Sequence, residues 1–188
     1  MILPPPKTPF GPDDYLAWEQ EQPFRNEYVD GEVFAMSGAS DAHATVALNI
    51  AASLRSELRG TPCKPFMADM KVQIEAANCF FYPDILVTCD RRDRGPDASH
   101  VKQHPVLVIE VLSPSTEAYD RGNKFAAYRL LPSLKEYVLV SIEVRRIEVL
   151  RRDDTGHWVL YPFAADETLA LASVDFRCPL AELFEGVE

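Results

Sequence analysis

The 188-residue chain has no apolar run long enough to span a bilayer. Its opening residues, MILPPPKTPFGP, also lack the charged-then-apolar layout of a signal peptide. These two absences set the expectation of a cytoplasmic protein with no membrane partner. Basic residues are scarce: 19 Lys and Arg stand against 29 Asp and Glu, a net charge of -10. Holding nucleic acid by charge alone leaves a basic footprint, so that kind of clamp is disfavoured. An acid cluster that binds a metal would lower the same sum. There are four cysteines and no CxxC pair, which removes zinc-ribbon and thioredoxin-like readings. Free, mostly buried thiols are the expectation. Internal repeats, linkers and low-complexity segments are missing too. The length suits a Pro-rich arm over residues 1–12 followed by a single domain over 13–188.

What the chain does have is centred on Pro105 to Ser115, PVLVIEVLSPS. Val106 to Leu112 is apolar except for Glu110, as in a strand covered on both faces. An ionised carboxylate there costs several kcal/mol unless a metal ion, a nearby cation or protonation compensates. Pairing with a buried Arg or a half-exposed face would also explain it. A second acid, Asp84, opens the apolar run in YPDILVTCD. Two acids on apolar strands are the pattern a divalent cation uses.

The rest reads in order. Asp13 to Gln22 is a short helix. Asn26 to Met36 is a hairpin about Asp30-Gly31, with Glu27 a third strand acid. Ser40 or Asp41 caps a helix running to about Arg59, and His43 lies in its first turn. Lys64 to Glu75 alternates as one strand, and Phe80 to Cys89 is the strand that carries Asp84. Asp90 to His104 is an Arg-rich loop. A helix follows the central strand from about Glu117 to Leu131 and carries Asp120, Lys124 and Tyr128. Strands over 136–142, 145–151 and 157–163 precede a short final helix. The pattern is α/β with a mixed β-sheet flanked by helices. The acids Asp84 and Glu110 with Lys124 are the parts that metal-assisted phosphodiester hydrolysis requires. The carboxylates take Mg²⁺, and the amine steadies the water or the charge on phosphorus.

Tyr82-Pro83-Asp84 followed by a Glu-centred apolar strand resembles the PD-(D/E)XK nuclease superfamily. More narrowly, NEYVDGEVFAMSGAS with His43, YPDILVTCD, and PVLVIEVLSPSTEAYDRGNKFAAYRLLPSLKEYVLV are similar to the Uma family of restriction endonucleases. The resemblance implies a restriction-endonuclease-like core and a Mg²⁺-dependent endonuclease, with Mn²⁺ as substitute, acting on DNA as a homodimer. It implies Asp84 and Glu110 as metal ligands, with the Val111 carbonyl a third, and Glu27 as an early catalytic acid. The superfamily lysine two places after the second acid is Leu112 here. The resemblance therefore moves that role to Lys124. By the same resemblance His43, Gln73, Asp120 and Tyr128 support the ligands or touch substrate. Helix start, strand face, ion-pairing cap and core aromatic are the alternatives for these four in turn. Two other functions stay open: a nuclease-like module that only binds nucleic acid or protein, and a metal-dependent hydrolase of a small phosphoester.

Overall fold

Two bends set the architecture, and both fall inside segments that the sequence predicts as single strands. The computed structural model describes residues 10–36, 38–95, 98 and 100–187. The run over 64–75 breaks into β3 (Lys64–Met67) and β4 (Lys71–Ile74). Ala68 between them has φ 53°, a conformation no strand tolerates. The run over 80–89 breaks into β5 (Cys79–Phe81) and β6 (Ile85–Thr88) around Tyr82-Pro83-Asp84. Pro83 has no N–H for the ladder. The Ala68 amide donates to the Asp84 carbonyl at 3.0 Å, which pins the two bends together.

The bends carry the chain between two mixed sheets, where the sequence reading expects one. The first sheet has the order β11-β10-β9-β8-β6-β3. Its members are β8 (Pro105–Val111), β9 (Glu136–Ser141), β10 (Arg146–Arg152) and β11 (Trp158–Phe163), together with β6 and β3. Its single parallel pair is β8 with β9. The second sheet has the order β2-β1-β5-β4-β7 and adds β1 (Asn26–Val29), β2 (Glu32–Ala35) and β7 (Val101–Lys102). The β1–β2 turn is Asp30-Gly31, with φ 47° and 95°. That is the primed geometry the Asp-Gly pair favours.

Parity decides the layers. Along β8, Leu107, Ile109 and Val111 pack with Val46, Ile50 and Leu54 of α2 (Asp41–Glu57). α2 is capped by Ser40, whose hydroxyl accepts from the His43 amide at 3.2 Å. Val108 and Leu112 face the other way, into a core with Phe81, Tyr128 and Tyr137. This core lies between the two sheets and the β8–β9 crossover. The crossover is α3 (Glu117–Tyr119), a π-helical turn (Asp120–Lys124) and α4 (Phe125–Tyr128). On the far side of the second sheet, α1 (Pro12–Glu19) buries Tyr15 against Tyr28 and Phe80. A buried Lys71–Glu19 ion pair of 2.7 Å ties α1 to β4.

Three further expectations change. Of the arm over 1–12, residues 1–9 lie outside the described residues. Phe10, however, is buried, and its carbonyl accepts from the Tyr28 hydroxyl at 3.0 Å. Cys63 and Cys89 form a disulfide, whereas Cys79 and Cys178 are free and buried. The pairing follows from register: Lys64 is opposite Thr88, and the next step puts Cys63 across from Cys89. The tail adds a hairpin of β12 (Thr168–Leu171) and β13 (Phe176–Pro179) before α5 (Leu180–Leu183). Among the described residues no helix is long and apolar enough to cross a membrane.

Glu136 locks that hairpin to the first sheet. It is fully buried and accepts from Arg151 Nε at 2.7 Å, the Ala172 amide at 3.1 Å, and the Ser173 amide and hydroxyl. Glu136→Ala strands those donors and the Arg151 charge. The expected loss is about 3–5 kcal/mol in urea unfolding. A loss within experimental error would remove Glu136 from this role.

Candidate active site

Asp84 is aimed by the bend that contains it. Ile85 pairs with Ile109, and the next step sets Asp84 opposite Glu110. Its Oδ2 accepts from the Val111 amide at 2.7 Å. Its Oδ1 lies 2.8 Å from His43 Nε2, delivered by the first turn of α2. The hydrogen bond to Asp84 raises the His43 pKa above its ordinary value, against the opposing effect of burial. Both oxygens are therefore held, from two different elements, and the side chain keeps 23% exposure toward a cleft of about 1900 Å³.

Glu110 has the parity of Val108 and points between the sheets, 3% exposed. Its Oε1 is 3.1 Å from Lys124 Nζ. Burial pushes its carboxyl well up, with Lys124 opposing and Asp84 and Asp120 adding to the rise. Lys124 closes the π-helical turn, a helix irregularity frequent at functional sites. Its ammonium also lies 3.0 Å from Glu27 Oε1 and 3.7 Å from Asp120 Oδ1, above the Phe81 ring. Burial alone would lower its pKa. The charges of Glu110, Glu27 and Asp120 outweigh burial and hold it above the usual lysine value. Glu27 reaches the cluster because Val29, two residues on, shares its face with Cys79 and Phe81. Its Oε1 also accepts from the Tyr82 amide at 3.1 Å, beside the Asp84 bend.

The structure thus brings together Asp84, Glu110, Lys124, Glu27, Asp120, His43 and the Val111 backbone. Val111 enters through its amide. Two residues stand apart. Gln73 is opposite Phe80, which packs on α1, so it faces away from the cluster and bonds Gln103 at 2.7 Å. Tyr128 is a core aromatic beneath the cluster, 5.3 Å from Phe81 and 5.4 Å from Tyr137, and does not line the cleft. The pattern reading missed Tyr137, whose hydroxyl donates to the Asp120 carbonyl at 3.0 Å and steadies the π-helical turn. No local signal marks it. It also missed Phe34, directly across from Glu27. The two-residue turn makes that pairing readable from sequence.

Among the described residues no three His, Cys, Asp or Glu side chains gather as a metal cage. Asp84, exposed to the cleft, and the buried Glu110 beside it are a smaller oxygen donor pair. Magnesium accepts such a pair when water and phosphate complete its shell.

The profile of the family described as "Putative restriction endonuclease" (Uma2) matches residues 12–181. The chain belongs to the Uma2 family. An uncharacterized protein of Synechocystis sp., slr1290, is 37% identical over 190 residues, covering 100% of this chain and 99% of the relative. A second from the same organism, sll1609, is 29% identical over 147 residues, covering 78% and 83%. A crystal structure described as a "putative nuclease" of DUF820 from Anabaena variabilis superposes with a TM-score of 0.77 at 16% identity. It covers 94% of this chain and 98% of that one. The Uma2 chain therefore shares that protein's fold: mixed sheets flanked by helices.

Removing the buried cation leaves acids facing one another, so Lys124→Ala is expected to cost about 3–5 kcal/mol at neutral pH. The sign with pH follows from linkage. Burial raises Glu110 and Asp120, and Lys124 is the main opposing influence on both. Without it their folded-state values rise further above the unfolded ones. Their contribution is then full below the unfolded carboxyl range and is lost as pH rises through the folded values. Urea unfolding of wild type and variant should show a deficit that grows from acid to neutral pH. A deficit independent of pH would mean that these acids are not coupled to Lys124.

Proposed function

We propose that this Uma2 protein is a Mg²⁺-dependent endonuclease that hydrolyses DNA phosphodiester bonds at the cluster of Asp84, Glu110 and Lys124. The observation that carries the reading is the meeting of Asp84, oriented by the Val111 amide and His43 at the cleft, with the buried Glu110 beside it and the Lys124 ammonium 3.1 Å from Glu110. Two carboxylates opposite one another on neighbouring segments are oxygen donors of the kind a hard cation takes, and that donor chemistry fits magnesium. Asp84 and Glu110 are the residues that would hold it. When bound, the ion supplies a water of lowered pKa and polarises the phosphate. His43 and the Val111 amide keep the Asp84 carboxylate oriented. Lys124 carries a fixed positive charge within reach of the reacting groups, where it neutralises charge building on phosphorus. Glu27 and Asp120 keep that ammonium in place. Membership in a family of this description and the fold shared with a protein described as a nuclease support the same reading. The cleft, about 1900 Å³, exceeds the usual volume of small-molecule sites and favours a polymer over a small phosphoester.

Asp84→Ala, Glu110→Ala and Lys124→Ala, made separately, are each expected to lower Mn²⁺-dependent plasmid nicking by about a hundredfold or more. Full activity in any one removes that residue from its role. Calorimetry separates the roles, because Asp84→Ala should abolish Mn²⁺ binding. A wild-type protein that binds DNA without cutting it would instead be a binding module. Burial raises the Glu110 pKa, and a cation takes only the ionised carboxylate. Mn²⁺ affinity should therefore rise with pH, with proton release detectable in buffers of different ionisation enthalpy. Affinity that is flat with pH would argue against Glu110 as a ligand.

A further inference from the structure

The cleft that holds the acids also exposes apolar side chains that no core requires. Phe34 is paired directly with Glu27 across β1 and β2. Residues so paired share a face, with Cβ atoms about 4.5–5.5 Å apart. Glu27 in turn touches Lys124. An aromatic ring, 49% exposed, therefore stands one side chain from the ammonium of the site. Met36 shares its parity, and the Met36 amide donates to the Arg25 carbonyl at 3.0 Å, which brings Phe24 alongside. Met36 is 38% exposed and Phe24 62%, and all three line the cleft.

The charge of the cleft narrows what these rings meet. Acidic side chains outnumber basic ones in its lining, as they do in the whole chain. Duplex DNA carries one charge per roughly 1.7 Å of axis and is normally gripped by a basic footprint. In a duplex, moreover, the base faces are already stacked on their neighbours. Unpaired bases offer free faces, and stacking on aromatic rings supplies affinity that does not depend on positive charge.

We propose that the cleft takes unpaired DNA, a single strand whose base beside the reacting phosphate stacks on Phe34 while neighbouring bases pass over Met36 and Phe24. This deepens the nuclease reading and rests on it. A single strand also presents only one backbone to cut, so one site per molecule suffices.

The test is fluorescence anisotropy in Ca²⁺ with a short labelled mixed-sequence strand, alone and annealed to its complement, with melting curves to show that each variant is folded. The single strand should bind about tenfold tighter than the duplex or better. Phe34→Ala should weaken single-strand binding by about five- to a hundredfold and erase that preference, and Phe34→Trp should retain it. Equal affinity for strand and duplex, or a Phe34→Ala loss shared equally by both, overturns the proposal. The two readings fail separately. Phe34-dependent strand binding without cleavage by wild type removes the nuclease and leaves this binding mode. Duplex cleavage indifferent to Phe34→Ala leaves the nuclease and removes this mode.

Discussion

An ammonium buried away from water costs several kcal/mol unless anions surround it, and the rest of the site depends on how Lys124 meets that constraint. Its partners come from three places: Glu27 from β1, Glu110 from β8, and Asp120 from its own π-helical turn. The first two belong to different sheets. The cluster is thus an electrostatic joint between sheets. Each acid would be unfavourable there alone, and together they hold the lysine charged.

The same joint explains where the cleft lies. Chain segments cross from one sheet to the other at Ala68 and at Tyr82-Pro83-Asp84, and a backbone hydrogen bond ties these crossings together. Asp84 lies in the crossing itself and belongs to neither sheet. Its carboxylate is free to accept from the Val111 amide on one side and to meet His43 on the other. Residues in a regular ladder have side chains confined to one face by the pleat. A residue in the crossing escapes that restriction, and here it gains contacts from β8 and α2 at once.

An acidic cleft in an acidic protein is a poor trap for a polyanion, so affinity has to come from elsewhere. The proposed cation site of Asp84 and Glu110 and the proposed aromatic stacking at Phe34 would supply it in complementary ways. The geometry links them through Glu27, which touches Lys124 and is paired with Phe34. The proposed chemistry and the proposed substrate contact would then be neighbours on one face of β1 and β2.

Local patterns were sufficient wherever the physics is local. Asp30-Gly31 determined a primed turn, hence the pairing of Glu27 with Phe34. Ser40 and Asp41 marked the start of α2, and the apolar run around Glu110 determined a strand covered on both faces. What local patterns leave open is which sheet a strand joins, because alternation looks the same in either. Tertiary structure alone decided that 64–75 and 80–89 each bend between sheets, that Gln73 faces α1, that Tyr128 lies in the core, and that Cys63 meets Cys89. Each of these depends on hydrogen-bonded register between segments far apart in the chain, where no short-range preference acts. Lys124 stands between the two cases: its spacing from Asp120 is written in the sequence, and its reach to Glu27 exists only once the two sheets are packed.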